Sequence, residues 1–262
     1  MTEHTGLGHY VYAVGEATPL TGLSGLTGIE NAPVRCAVEG RLCALTSAVS
    51  VQAFRDAQQA AEVSETGWLA GAVRAHERVA VHALERAPVL PMRFGTVYSS
   101  LADVHAMLLR HQSSLLAELQ RLAGGTEWCL TVRVAHAQHD GADGPQDEQP
   151  AADAAASGTA WLLSRQAALQ AREAHADRLA ERVEQLRAGL AAHTREIVVA
   201  RAGGNSDAVR MWLLVDDVAQ LQTAVAELSR RTDAQLELTG PWPAYHFVRA
   251  DALHDDAAEV RR

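Results

Sequence analysis

The chain has 262 residues, 48% of them apolar and 21% charged, with a net charge of -9. That length and mix suit one large or two modest globular domains, each with a real core. No apolar run approaches the roughly 20 residues that cross a bilayer. Met1 to Thr5 lack the basic start and apolar stretch of a secretory signal, so the expected location is the cytosol.

The acidity is unevenly spread. Residues 136–158 hold five acids and no base, whereas 1–135 carry ten Arg against twelve acids and 159–262 thirteen Arg against fifteen. The two long segments are therefore nearly neutral. A nucleic-acid surface needs a concentrated basic patch, and none is visible.

In chain order, His9 to Val14 reads as a strand, followed by a hairpin of Val34–Val38 and Leu42–Val49 turning at Glu39-Gly40. Trp68 to Glu85 has helical spacing, and Val89 to Val97 reads as a strand around Pro91. Leu101 to Leu122 follows as one helix, with apolar positions three and four apart, or seven across His111. After Gly124-Gly125, Trp128 to Val134 alternates as a strand. The stretch from Gln138 to Gly158 is rich in Gly, Pro, Asp, Gln and Ala and lacks periodicity, as expected of a flexible loop. A long helix then places Leu162, Leu169, Ala176, Leu179, Val183, Leu186 and Leu190 on one stripe. Ile197–Ala200 and Val209–Val215 read as strands joined by a turn at Ala202–Asn205. Asp216 or Asp217 can cap a helix with Val218, Leu221, Val225 and Leu228 on its apolar face. Ala234 to Leu238 closes as a strand before Gly240-Pro241.

The expected class is α+β with two domains. An N-terminal α+β domain covers 1–124. A C-terminal ferredoxin-like domain with the order β-α-β-β-α-β covers 125–249, with 136–158 as its disordered acidic insert. A tail covers 250–262.

Candidate chemistry is sparse. His76 and His82 lie six apart, not the four that places two zinc ligands on one helix face. His76 falls on the stripe of Leu69, Val73 and Ala80, and His111 on the stripe of its own helix, so both read as core histidines. Cys36, Cys43 and Cys129 are odd in number, widely spaced and set in apolar segments, so buried free thiols are expected. Gly22 to Gly28 matches neither phosphate-binding fingerprint nor, with Leu26 two residues after Ser24, a nucleophile elbow. No metal site, cofactor site or catalytic constellation is indicated.

Two segments are unusual for a purely structural reading. Leu90-Pro91-Met92-Arg93-Phe94-Gly95-Thr96 puts Pro and Gly inside a strand-like run with an Arg between apolar residues, so Pro91 belongs at an edge or bulge. Arg93 is then either paired in the core or presented to a partner. Gly240-Pro241-Trp242-Pro243-Ala244-Tyr245-His246-Phe247 is a Pro-locked turn with three aromatics, either packed on its own domain or docking a partner. In the long helix, the seam running back from Leu190 meets Arg172 and Arg165 at core-type positions. These weaken a simple dimeric coil, so the helix is expected to pack on the sheet, with Arg165 and Arg172 at a rim or contacting a partner.

These segments carry a family likeness. Residues 90–96 resemble the most recognisable motif of the gas-vesicle GvpL/GvpF proteins, and 240–247 their closing motif, with Ala244 where the family often has a second Pro. Tyr10-Val11-Tyr12-Ala13-Val14 resembles the family's opening strand, and Trp161-Leu162-Leu163-Ser164-Arg165 the start of its long helix. The matches keep their order from residue 10 to 247. The acidic insert is the clearest departure.

The resemblance implies a cytoplasmic, vesicle-associated accessory protein without enzymatic activity. Its implied partners are the small hydrophobic shell protein and other accessory proteins, with neither nucleic acid nor membrane. The candidate partner-binding residues are Arg93, Phe94, Arg165, Trp242 and Tyr245, with a sheet edge or apolar groove near Arg93 as the expected contact. The rival reading is a ferredoxin-like regulatory protein that senses a small molecule or binds RNA. Its strands lack the aromatic-basic pattern of RNA-binding sheets.

Overall fold

The computed structural model describes residues 6–23, 25–59, 67–134, 154–201 and 208–249. It is a mixed α+β structure with two sheets. The chain divides into two compact units, one of Met1–Glu127 with Pro241–Arg262, the other of Trp128–Gly240. The closing segment from Pro241 thus belongs with the N-terminal residues, not with the C-terminal ones as the sequence suggested.

The first unit is built on β1 (Leu7–Glu16), which leads into the single turn α1 (Ala17–Leu20). The hairpin β2 (Arg35–Glu39) and β3 (Leu42–Ser50) follows, then α2 (Val51–Gln59) and α3 (Trp68–Leu84). The remaining elements are β4 (Val89–Pro91), β5 (Val97–Tyr98), α4 (Leu101–Arg110) and α5 (Gln112–Leu122). β1 is central: β3 pairs antiparallel along one side, and β4 and β5 share the other. A strand so placed is covered on both faces, which is why Tyr10 to Val14 are all fully buried. Tyr10, Tyr12, Cys43 and Leu45 pack on Ala72, Ala75, Val79 and Ala83 of α3. The alternating Leu42 and Ala44 point the other way, and α4 lies against β2 and β3.

Several local expectations change. The expected helix 101–122 is two helices, because His111 leaves helical geometry (φ -102, ψ 14). Ser100 starts the first of them: its Oγ accepts the Asp103 N–H at 3.1 Å and donates to the Asp103 carboxylate at 2.7 Å. The expected strand around Pro91 is likewise two short strands, β4 and β5, separated by residues 92–96. Cys36 and Cys43 are not free thiols but a disulfide, with Cα atoms 5.7 Å apart. Hairpin register explains this: Val38 faces Cys43 and Cys36 faces Leu45, so the two cysteines are diagonal neighbours on one face. Cys129 is buried and forms no disulfide among the described residues.

The second unit runs β6 (Thr126–Val134), α6 (Ala154–Leu190), β7 (Glu196–Arg201), β8 (Ala208–Val215), α7 (Val218–Arg231) and β9 (Ala234–Trp242). Its sheet order is β7-β8-β6-β9. Leu130, Val132 and Val134 of β6 pack with Leu179, Val183, Leu186 and Leu190 of α6 and with Leu221 and Val225 of α7. Asp217 caps α7, its Oδ1 accepting the N–H groups of Ala219 and Gln220 at 2.9 and 3.1 Å. β9 continues through Gly240-Pro241, where a break was expected.

Helix α6 departs most from its sequence pattern. Every residue from Ala160 to Ala174 is exposed, Leu162 at 61% and Leu169 at 50%, although both lie on the expected core stripe. Length is the cause. Thirty-seven residues make a helix about 55 Å long, whereas strands of six to nine residues span about 20–30 Å. The sheet covers only the C-terminal turns. Of the expected insert, residues 136–153 lie outside the described residues and Ala154 onward is helical; the turn at 202–205 and the tail 250–262 also lie outside them.

A disulfide closing so short a loop stabilises by about 2–3 kcal/mol. Complete reduction is therefore expected to lower the thermal midpoint of the wild-type chain. A Cys36→Ser/Cys43→Ser variant should start lower and ignore reductant; a reductant-insensitive wild type contradicts the bond.

Candidate partner-binding site

The segment between β4 and β5 runs along β1 but loops away from it in the middle. Met92 N–H donates to the Tyr12 carbonyl at 2.9 Å, and Val11 N–H to the Thr96 carbonyl at 3.0 Å. Between these anchors Arg93, Phe94 and Gly95 are exposed. Gly95 takes φ +88, a conformation that glycine adopts without strain. Two further groups close the base of the loop. The Arg93 carbonyl accepts both the Thr96 N–H at 3.2 Å and the Thr96 hydroxyl at 2.7 Å, and the Gly95 N–H donates to the Tyr10 hydroxyl at 3.1 Å. The tip is thus bonded from below while its side chains face outward.

Beneath it lies an aromatic cluster. The Tyr10 hydroxyl and His76 Nδ1 share a hydrogen bond of 2.8 Å. Phe94 rests its ring 5.9 Å from His76, 6.0 Å from Phe54 and 6.1 Å from Tyr10, yet keeps 37% of its surface exposed. Phe54 stacks on Tyr10 and meets Trp68 edge-on. Burial pushes the Tyr10 hydroxyl above its ordinary range, partly offset by the Gly95 N–H. It also pushes His76 down to about 4, opposed by the Met92 carbonyl. Both groups are neutral near pH 7.

The closing segment packs on the same unit. Tyr245 stands with its ring 6.0 Å from His76. Its buried hydroxyl has no hydrogen-bond partner among the described residues, and burial, with Glu77 and Glu127 adding, raises its pKa. The fully buried Glu127 accepts the His246 N–H at 2.9 Å and pairs with His246 Nδ1 at 2.8 Å. Glu118 takes Arg121 in a two-point bridge at 2.7 and 2.9 Å and accepts the Arg249 N–H at 2.9 Å. Arg121 also donates to the Phe247 carbonyl. The Arg121 guanidinium holds the Glu118 carboxyl below its usual range, against burial. Two buried carboxylates thus tie down the backbone of residues 246–249.

The sequence motifs around Arg93 and Tyr245 therefore share one unit, with Phe94 and Tyr245 both on His76. Trp242 is half-buried at the end of β9, its indole N–H buried without a partner among the described residues. Arg165 lies in the other unit, its guanidinium 5.5 Å from the Trp161 ring.

Comparison with known proteins fixes the family. A family model described as "Gas vesicle synthesis protein GvpL/GvpF" matches residues 8–249. The chain belongs to the gas vesicle GvpL/GvpF family. It is 33% identical over 264 residues to gas vesicle protein L of Streptomyces sp. (strain CB03234), covering 96% of each chain. Its fold matches the crystal structure of the gas vesicle protein GvpF from Anabaena sp. PCC7120 at TM-score 0.65 and 16% identity, covering 93% of this chain and 96% of that one. GvpF from Microcystis aeruginosa matches at 0.59 and 17%, covering 92% and 98%.

In this GvpL/GvpF chain, the load beneath the motifs falls on residues that the sequence did not single out. Phe54, Glu118, Arg121 and Glu127 were not marked, since the bonds from Glu118, Arg121 and Glu127 to residues 246–249 reach far along the chain; Tyr10 and His76 were visible only as a strand residue and a core histidine. The Gly22–Gly28 loop ends in a close packing contact. A Cβ on Gly28 would lie 2.0 Å from the Tyr12 hydroxyl, which accepts the Ile29 N–H at 2.9 Å and bonds Ser47 Oγ at 2.6 Å. A hollow of about 390 Å³ by α3 is lined by Glu30, Trp68, Arg74 and Arg78. Glu30 there accepts the Trp68 indole N–H, and Arg78 reaches the Thr27 carbonyl. No group of three metal-holding side chains occurs among the described residues, and no helix in them is long and apolar enough to cross a membrane.

A histidine held neutral by burial binds fewer protons folded than unfolded, so stability rises with pH through its window. The contribution of His76 is full above about pH 6.5 and is lost as pH falls toward 4. The denaturation midpoint is expected to fall between pH 6.5 and 4, and His76→Gln to flatten that part of the curve. An equally steep curve in the variant contradicts the assignment.

Proposed function

We propose that this chain is a non-enzymatic accessory protein of gas-vesicle assembly that holds or nucleates the small hydrophobic shell protein, working in the cytoplasm at the growing vesicle. Membership of the family supports the accessory role. A protein that polymerises into a gas-filled wall exposes apolar, strand-rich surface beforehand, and such surface aggregates unless covered. Other accessory proteins are further partners on this reading.

The observation that carries the contact is the Arg93–Phe94 tip. A cation and a part-exposed aromatic ring stand together on a loop fixed by five hydrogen bonds, so little ordering is needed when a partner docks. The loop and Pro91 also interrupt the sheet edge beside β1, which disfavours strand addition there. The contact is therefore made by side chains. Phe94 gives an apolar seat and Arg93 a donor for a carboxylate or a carbonyl. Tyr245 acts from behind as support, through its contact with His76.

The second unit is read as a ferredoxin-like domain, making the protein a two-domain one. The succession β6-α6-β7-β8-α7-β9 and the sheet order β7-β8-β6-β9 support that reading.

Arg93→Glu is expected to leave the fold unchanged, since the side chain is exposed, and Phe94→Ala to lower the thermal midpoint through its lost ring contacts while the chain stays folded. Each should weaken binding of purified shell protein at least about tenfold, or roughly 1.4 kcal/mol. Unchanged affinity in a folded Arg93→Glu chain removes Arg93 from the contact. Deleting the gene should reduce gas-vesicle yield, and a normal yield contradicts the assembly role.

A further inference from the structure

The exposed N-terminal half of α6 has an order that a merely solvated helix does not need. Arg165, Arg172 and Leu179 are seven residues apart and share the midline of one stripe. Trp161, Ala168 and His175 line one flank, and Leu162, Leu169 and Ala176 the other. From His175 onward the stripe is buried on the sheet, and its midline is apolar: Leu179, Val183, Leu186, Leu190. Before that point the same stripe is open, its midline is two arginines, and its flanks keep Trp161 at 58%, Leu162 at 61% and Leu169 at 50% exposure. The identity of the midline switches where the helix outruns the sheet.

Charge narrows what can cover this surface. No acid lies on the stripe, and neither Arg165 nor Arg172 forms an ion pair among the described residues. The Arg165 guanidinium lies 5.5 Å from the Trp161 ring, a contact that orders the cation. A second copy of the same stripe fits badly. In a parallel pair Arg165 meets Arg165 and Arg172 meets Arg172; in an antiparallel pair Arg165 meets Arg172. Cations would then oppose each other at the centre of an apolar seam.

We infer that residues 161–172 of α6 are a docking ridge for an amphipathic helix of another protein, one that carries carboxylates seven residues apart between two apolar rows. The apolar rows cover Trp161, Leu162 and Leu169, and the carboxylates take the two guanidinium groups as the seam is dried. This surface is on the second unit and does not depend on the Arg93 contact.

Two synthetic 18-residue helical peptides test the inference. They share the same leucines and differ at two positions seven apart on the apolar face, Glu in one and Lys in the other. With the full chain, the Glu peptide should bind at least tenfold tighter and protect Trp161 from iodide quenching, since the four other tryptophans are already half-buried. Arg165→Glu/Arg172→Glu should reverse the preference without changing the circular dichroism. Equal binding of the two peptides, or binding of neither, overturns the inference. So does a dimer of the chain in light scattering that Leu162→Ser/Leu169→Ser dissolves, which would give the ridge to a second copy. An Arg93→Glu chain serves as the control: it should bind the Glu peptide normally even if it has lost the shell protein.

Discussion

The Tyr10 hydroxyl joins three parts of the first unit that are far apart in sequence. It bonds His76 on α3, accepts the N–H of Gly95 in the loop, and sits on the central strand of the sheet. Burial makes this junction restrictive, because a buried donor or acceptor left without its partner costs about 1–3 kcal/mol. His76 must stay neutral and in place, and Gly95 must keep its left-handed backbone. The loop can then leave β1 in one way only. The exposed side chains of Arg93 and Phe94 are fixed indirectly, by hydrogen bonds made beneath them.

The closing segment adds a second restraint to the same unit. Glu127 and Glu118 are almost wholly buried, and each accepts a backbone N–H from residues 246–249 as well as pairing with a cationic or imidazole side chain. Buried carboxylates are tolerated when satisfied in this way. The segment is thereby a fixed part of the unit, with Tyr245 against His76. In the second unit the constraint differs: a four-stranded sheet cannot cover a helix of 37 residues, and the surplus turns stand exposed.

Elements with strong local signals were legible in the sequence. The opening strand, the hairpin at Glu39-Gly40, helix α3, strand β6 and the Asp217 cap follow from period and turn chemistry over short spans. Period alone misled elsewhere. Seven-residue spacing across His111 hid a helix break, and the apolar run around Pro91 was two strands with a loop between them. The stripe of α6 carried the same pattern on covered and uncovered turns, so only the length of the strands beneath could tell Leu162 from Leu179. The disulfide was missed because odd count and wide spacing say nothing of register. The support beneath the candidate site was least visible, since Glu127 and Glu118 meet residues 119 and 131 positions away. The sequence marked Arg93, Phe94 and Tyr245 as unusual, but the bonds that hold them are long-range.

Hydrogen–deuterium exchange on the full chain, free and with purified shell protein, tests the central claim most directly. If the Arg93–Phe94 loop is the prepared contact, its amides should gain protection on binding, together with those of β5 and the adjoining part of β1. Slow exchange at the Gly95 amide should already be present in the free chain, because Tyr10 holds it. Protection that appears elsewhere while residues 92–98 stay unchanged, or a Gly95 amide that exchanges freely before binding, would contradict the account.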